Sequence, residues 1–391
     1  MAPGSDAPQA PGPWLGGAGA PGQRRRESGA PAAGQDRPDV LDLDALEAAA
    51  RALLPPAVAD YYAGGAESEI TLREATAAWR TWRLRPRVLS GVAEVDLATS
   101  LLGTEVATPI GVAPWAYQVM AHPDAERGTA RGAAAAGALM TVSTSASTGL
   151  DDVAATEPGA PTWFQLYRLH SPAHTDDLAR RAGRAGYRAL VLTVDLPVLG
   201  RRLRDLGHDF ALPADVPLPN RPSGGALPED SPVWTFEDIE RFGELSGLPV
   251  VVKGVLRGDD AARCVEAGAA AVWVSAHGGR QADPVVASAH ALPEVVAAVA
   301  GEVEVYADGG LRSGADVLTA LALGARAVFV GRPVVWGLAT GGSSGVSRVL
   351  AGLSAELAHT MALCGLPDVR SVPRDTVTPG RTAGWTPGSP L

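Results

Sequence analysis

The chain has 391 residues, 46% of them hydrophobic, and a formal net charge of -10. That length allows one large domain or two ordinary ones, and the acidic balance argues against a nucleic-acid partner. Two cysteines, Cys264 and Cys364, in no metal-type cluster argue against a disulfide framework or a zinc site, and no apolar run reads as a membrane span or signal segment, so the expectation is a cytoplasmic protein without a metal.

Residues 1–37 are rich in Pro, Gly, Ala and Gln and carry Arg24-Arg25-Arg26. Such a segment buries too little apolar surface to order itself and reads as a tail. Leu43, Leu46, Ala50, Leu53 and Leu54 recur at helical spacing until Pro55-Pro56 interrupts them, and a second short helix runs through 58–62 to stop at Gly64-Gly65. Tyr61 stands just before that stop.

From residue 109 a rhythm begins in which short apolar strands alternate with Ala-rich helical segments. The strands fall at 110–113, 139–143, 162–165, 189–193, 250–253, 271–275, 303–307 and 327–330, with helices between them such as 124–136, 175–185, 259–267, 293–300 and 314–323. Eight strand-helix units predict an α/β chain folded as a (β/α)8 barrel with an N-terminal helical extension; an open doubly wound sheet is the rival. The Pro- and Gly-rich stretch 203–232 after the fourth strand reads as a lid-like loop. Beyond Gly331 the chain is helical to about Cys364, with Val346, Leu350, Leu353, Leu357 and Met361 as a packing stripe. The barrel unit thus spans 38–365, and 366–391 reads as a C-terminal tail.

Active residues of such barrels sit at the C-terminal ends of the strands. Those ends carry Ala113-Pro114-Trp115, Ser143, Gln165 with Tyr167, Thr193 with Asp195 and then Arg202, Lys253, Ser275, Asp308-Gly309-Gly310 with Arg312, and Gly331-Arg332. After the sixth strand His277 and Arg280 flank two glycines. The histidine can move a proton near neutral pH and the arginine fork fits a carboxylate, which points to chemistry on an organic acid; a plain turn with a solvated arginine is the bland alternative. The last two glycine turns, with Arg312 and Arg332, read as a phosphate grip. Lys253, deep in the barrel, needs a negative partner, either a cofactor or simply a carboxylate.

These motifs together resemble the FMN-dependent α-hydroxy-acid oxidase and dehydrogenase family, which includes glycolate, lactate and mandelate-oxidising enzymes. The resemblance rests on Tyr61-Tyr62-Ala-Gly-Gly-Ala, Met120-Ala-His122-Pro123, Gln165-Leu166-Tyr167, Thr193-Val-Asp195 with Gly200-Arg201-Arg202, Val252-Lys253-Gly254, His277-Gly-Gly-Arg280-Gln281, Asp308-Gly-Gly and Gly331-Arg332-Pro333, in family order over roughly 40–365. It implies FMN as cofactor and His277 as the base, with Asp195 stabilising the imidazolium and Tyr167 contacting the substrate. It further implies Arg280, Arg202 and Tyr61 around the substrate, and Trp115, where this chain departs from the family, is expected beside them. Lys253 would meet the N1/O2 edge of the flavin, and Ser143, Gln165 and Thr193 its ring edge. Arg312 and Arg332 would meet the phosphate, and Ala113, Pro114, Ser275, Asp308, Gly310 and Gly331 would complete the cradle.

The partners so implied are a small 2-hydroxy acid, oxygen or another electron acceptor, and further copies of the chain in a tetramer. Three positions depart from the family pattern: Ala276 replaces an asparagine, Trp115 a small residue, and Ser145 an aromatic. With Tyr117 and Trp163, Trp115 leans the expected L-2-hydroxy acid toward something larger than glycolate, of mandelate type. A specialised biosynthetic flavoenzyme with an altered substrate, a flavin-binding protein without hydroxy-acid activity, and a non-flavin phosphate-binding barrel are the alternatives.

Overall fold

Each apolar run is short, bounded by turn residues and covered on both faces, as strands of a parallel sheet must be. In the computed structural model, which describes residues 41–221 and 233–380, they form β1 (Ile110–Val112), β2 (Met140–Ser143), β3 (Thr162–Leu166), β4 (Leu190–Thr193), β5 (Val250–Val255), β6 (Ala271–Val274), β7 (Glu304–Asp308) and β8 (Ala327–Val330). Neighbours pair in parallel and in chain order. The ring closes where β8 meets β1 through Val328↔Ile110, Phe329↔Gly111 and Val330↔Val112. Gly111 is required there, since a Cβ would lie 2.6 Å from the Phe329 ring.

The barrel interior is filled by aromatics. Trp163 packs 5.3 Å from Tyr306 and 5.6 Å from Phe329, and Trp273 lies 3.9 Å from Phe329, centroid to centroid. Trp163 is wholly buried in this layer. It is therefore not a wall of the substrate site, contrary to the expectation: it shares the inward face of β3 with Gln165 but lies one layer deeper.

Helices cover the barrel outside. Pro172–Arg184 starts where Ser171 accepts a bond from His174 N, and Gly314–Ala322 where Ser313 accepts from Asp316 N. The last helical stretch, Arg332–Cys364, is broken at Gly341–Gly342 and buries its expected leucine stripe. Among the N-terminal elements, Leu43–Leu53 is capped by Asp42, and Pro55-Pro56 opens the second helix, Pro56–Ala63, instead of merely ending the first. A third helix, Ile70–Trp79, was not foreseen; its Trp79 Nε1 donates to Gly309 O at 2.7 Å, tying the extension to the barrel mouth.

Two further expectations change. Residues 366–380 do not trail off: Val377–Pro379 pairs antiparallel with Trp82–Leu84, and Val377 is buried. Backbone pairing with a distant strand orders a segment whose composition reads as a tail. The described part of the 203–232 stretch contains the helix Leu203–Gly207, and at its far end Asn220 and Arg221 are buried. The N-terminal tail 1–37, residues 222–232 and residues 381–391 lie outside the described residues.

Candidate active site

The C-terminal ends of the strands surround one cavity. It is lined by Ala113, Pro114 and Trp115 after β1, Ser143 on β2, Tyr167 after β3, Thr193 on β4, Lys253 on β5, His277 and Arg280 after β6, Asp308 and Gly310 at β7, and Arg312, Gly331 and Arg332 nearby. Arg202 reaches it from the stretch after β4, and Tyr61 and Tyr62 from the helix Pro56–Ala63. Three predicted residues stand directly behind this lining: Asp195 behind His277, Gln165 behind Ser143, and Ser275 between Lys253 and His277.

His277 lies in the left-handed region at φ 52°, followed by Gly278 and Gly279 at positive φ. A non-glycine residue is held so only where its surroundings over-determine it. Its Nδ1 is 2.8 Å from Asp195 Oδ1, which fixes the proton on Nδ1 and leaves Nε2 as an acceptor, 3.5 Å from Tyr167 Oη. Burial holds the imidazole below its ordinary value, against the pull of Asp195, so it is neutral and basic at neutral pH. Burial alone would raise Asp195, but His277 and Lys253 outweigh it and keep the carboxyl below the usual carboxylate range. Gly254, at φ 111°, makes room for this aspartate: a Cβ there would lie 2.6 Å from Asp195 Cβ. Burial pushes the Tyr167 phenol well up, so it stays a hydroxyl.

Arg280 is half-buried and donates to backbone oxygens, Tyr61 O at 2.6 Å and Gly64 O at 2.9 Å. Its guanidinium stands 4.9 Å from the Tyr61 ring centre, and that of Arg202 stands 5.9 Å from it. Burial, reinforced by Arg202, pulls Arg280 down to about 10. Two adjacent half-buried cations, Arg280 held by carbonyls and both beside the Tyr61 ring, form a place for a carboxylate. Arg202 has a distant acidic neighbour, Asp205, at 3.9 Å.

Across the cavity, Arg332 donates to Tyr62 O and Gly64 O, and burial with the charges of Arg280 and Arg312 brings it down to about 9. Arg312, also lowered by burial, donates to Leu311 O. The Gly331 position faces open space, where a Cβ would meet no atom within 4 Å. Lys253 Nζ is 2.9 Å from Ser275 Oγ and 3.4 Å from Asp308 Oδ2, and Ser275 Oγ in turn donates to Asp308. Gln165 Oε1 accepts from Ser143 Oγ and Thr144 N, while Gln165 Nε2 and Thr193 Oγ1 are buried polar atoms with no protein partner among the described residues.

Reading the sequence missed Phe210, stacked 5.1 Å from Tyr61, and Arg221, which donates to Tyr117 and Ser145. Neither carries a local signal, because both lie in a stretch of loop composition. A second cavity, of about 460 Å³, lies outside β4 and β5 between their helices; it shares Tyr167 but holds none of the histidine and arginine groups just described.

Over residues 50–379 the chain matches the family of FMN-dependent dehydrogenases. It is 45% identical over 353 residues to the L-lactate oxidase of Nostoc sp., covering 85% of this chain and 96% of that protein. It is 42% identical over 358 residues to 2-hydroxyacid oxidase 1 of Homo sapiens, covering 87% and 97%. Among solved structures, mandelate oxidase with (S)-4-hydroxymandelic acid superposes with a TM-score of 0.83 at 42% identity, covering 87% of this chain and 99% of that one. The residues present fit FMN: unpartnered polar atoms at Gln165 and Thr193 suit a polar ring edge, and the enclosed Arg312 and Arg332 beside the open face of Gly331 suit a phosphate. The chain belongs to the FMN-dependent dehydrogenase family and is, like its 2-hydroxy-acid oxidase relatives, an FMN-dependent oxidoreductase acting on CH–OH.

Proposed function

We propose that this chain oxidises an L-2-hydroxy acid with a side chain larger than that of glycolate, of mandelate type, to the 2-oxo acid. The observation that carries the reading is the convergence of His277, paired at 2.8 Å with Asp195, and the two half-buried arginines Arg202 and Arg280 on one cavity. In this reading the arginines and Tyr61 hold the substrate carboxylate, which orients C2 toward the imidazole. Nε2 of His277 takes up the proton that the CH–OH unit releases, Asp195 stabilises the imidazolium that forms, and Tyr167 donates to the substrate oxygen. Bound FMN would supply the acceptor for the two electrons and the second hydrogen.

Lys253, held by Ser275 and Asp308, would meet the electron-rich edge of the bound ring, and Ser143, Gln165 and Thr193 would bond along that edge. Arg312 and Arg332, with Gly310 and Gly331, would hold the phosphate, and Ala113 and Pro114 would line the ring's seat. Trp115 forms the aromatic wall that favours a larger substituent; its ring meets Tyr62 edge-on at 5.5 Å. Oxygen or another acceptor then takes the electrons, and the enzyme works as a homo-oligomer. No helix among the described residues is long and apolar enough to cross a membrane.

The test is anaerobic mixing of the oxidised holoenzyme with glycolate, L-lactate, (S)-mandelate and their D-enantiomers, where chiral. Bleaching of the flavin fastest with (S)-mandelate is expected. No bleaching with any acid overturns the reading, and glycolate reacting fastest overturns its substrate size. Readmitting oxygen, and separately an artificial acceptor, identifies the oxidant.

A further inference from the structure

We infer that Asp205 is a positioning residue that sets how tightly the site holds carboxylates: it stands beside Arg202 as an internal counter-charge and weakens the hold of the arginine pair on substrate and product acids. The inference rests on the proposed hydroxy-acid oxidation, in which Arg202 and Arg280 take the substrate carboxylate, and adds a residue to it. Arg202 immediately precedes the helix Leu203–Gly207, and Asp205 follows at the i,i+3 spacing that brings side chains to one helix face. The two side chains are 12% and 18% exposed, and Asp205 Oδ2 lies 3.9 Å from Arg202 Nη1. Among the described residues the Asp205 carboxylate accepts no hydrogen bond, and Arg202 Nε is buried without a partner. Burial raises the Asp205 carboxyl, against the pull of Arg280 and Arg202. A largely enclosed carboxylate with no donor is costly unless a positive field offsets the cost. The cations that pull on it most are the two that line the barrel-mouth cavity.

The short helix that carries this charge is pinned on both sides of it. Arg204 donates to Glu69 at 2.6 Å and to Asp60 at 3.2 Å, and His208 Nε2 is 2.9 Å from Asp60 Oδ2. Those bonds fix the segment to the N-terminal helical extension. Asp205 O accepts from Phe210 N at 2.8 Å, and the Phe210 ring is stacked 5.1 Å from Tyr61, the ring beside both guanidinium groups. Asp205 is therefore held at Arg202. It is not among the residues that line the cavity, so it acts on a bound acid through Arg202 and not by contact.

A carboxylate that settles on Arg202 and Arg280 shares their charge with Asp205 and is repelled by it. The 2-oxo acid product carries the same carboxylate and meets the same competition. Binding weakened equally for substrate and product raises KM and speeds product release, while the chemistry at C2 is untouched. A neutral ligand of the same shape gains nothing from the arginine charges and loses nothing to Asp205. The acid-to-neutral preference of the site therefore reports the counter-charge directly.

The experiment titrates the oxidised holoenzyme with phenylacetate, an aromatic acid with no hydroxyl to oxidise, and with neutral phenylacetamide, following the flavin absorbance. Asp205→Asn is expected to lower the Kd of phenylacetate by about fivefold or more and to leave that of phenylacetamide within about twofold, so the amide-to-acid Kd ratio rises. Asp205→Ala is expected to do the same, and Asp205→Glu, which keeps the charge, to hold the ratio within about twofold of wild type. A residue that merely braced Arg202 would have the opposite effect, since a loosened Arg202 binds the acid more weakly. Flavin content and a thermal melt check that each variant folds. A ratio that stays the same or falls in the folded Asn and Ala variants, or that rises as much in Asp205→Glu, overturns the counter-charge alone. Wild-type holoenzyme that prefers the amide, or that binds neither ligand, overturns the assignment of Arg202 and Arg280 to a carboxylate and this inference with it.

Discussion

Replacing Asp195 with asparagine isolates the charge beside His277. The asparagine oxygen can still accept from Nδ1, at the position where Asp195 Oδ1 lies 2.8 Å away, so the ring keeps its orientation and tautomer. What disappears is the negative charge facing the imidazolium that forms when His277 takes up a proton. Both side chains are largely withdrawn from solvent, 17% and 14% exposed, and once His277 is protonated they form a mostly buried ion pair, of which removing one partner costs up to about 3–5 kcal/mol. If that loss falls on the transition state, kcat drops by roughly 150- to 5,000-fold, at about 1.4 kcal/mol per factor of ten.

A second consequence distinguishes this from simple damage. Wild-type activity needs neutral His277, so kcat/KM is present above its pKa and falls as pH drops through it, below the ordinary imidazole value of about 6.5. Asp195 pulls that pKa upward, so in Asp195→Asn the acid limb moves to still lower pH. Steady-state turnover of (S)-mandelate across pH, with flavin content measured in parallel, reads both effects. Activity within threefold of wild type, or an acid limb that stays put or rises, refutes the charge-partner argument.

Gly254→Ala places a Cβ 2.6 Å from Asp195 at a backbone φ of 111°, so it is expected to lower the melting temperature by several degrees and turnover by more than tenfold; thermal denaturation and the mandelate assay check it. Arg332→Met removes an enclosed guanidinium and is expected to weaken FMN binding by at least about tenfold, read by fluorescence quenching when the apoprotein is titrated with FMN; unchanged affinity would place the phosphate elsewhere. Trp163→Phe lies in the barrel interior and is expected to keep KM for aromatic hydroxy acids within about twofold; a large rise would return Trp163 to the substrate wall.

Much of this protein was legible along the chain. Alternating apolar strands and Ala-rich helices are local patterns, and their number and order leave few parallel topologies. The barrel then collects the ends of its strands at one face, so residues as far apart as Ser143, Lys253, His277 and Arg332 were recognisable as neighbours before any contact was known. Their chemistry is also local: a histidine between small residues, an arginine after two glycines, a lysine late in an apolar strand.

Other features depended on where distant segments meet. In strands buried on both faces, alternation does not reveal which side points into the barrel or how deep a residue lies, so Trp163 reads from sequence as readily toward the substrate as toward the floor. The strand Val377–Pro379 is ordered by a partner almost three hundred residues earlier, and nothing in its own composition announces it. Arg221 and Phe210 sit among prolines, glycines and charges, and their places depend on distant contacts, Arg221 with Tyr117 and Ser145 and Phe210 with Tyr61. The sequence by itself determined the barrel and the reacting groups at its mouth, since both follow from short-range periodicity and strand-end chemistry. Only the tertiary structure decided the depth of each interior side chain and the make-up of the wall facing the substrate, because those are set by long-range packing that no local pattern encodes.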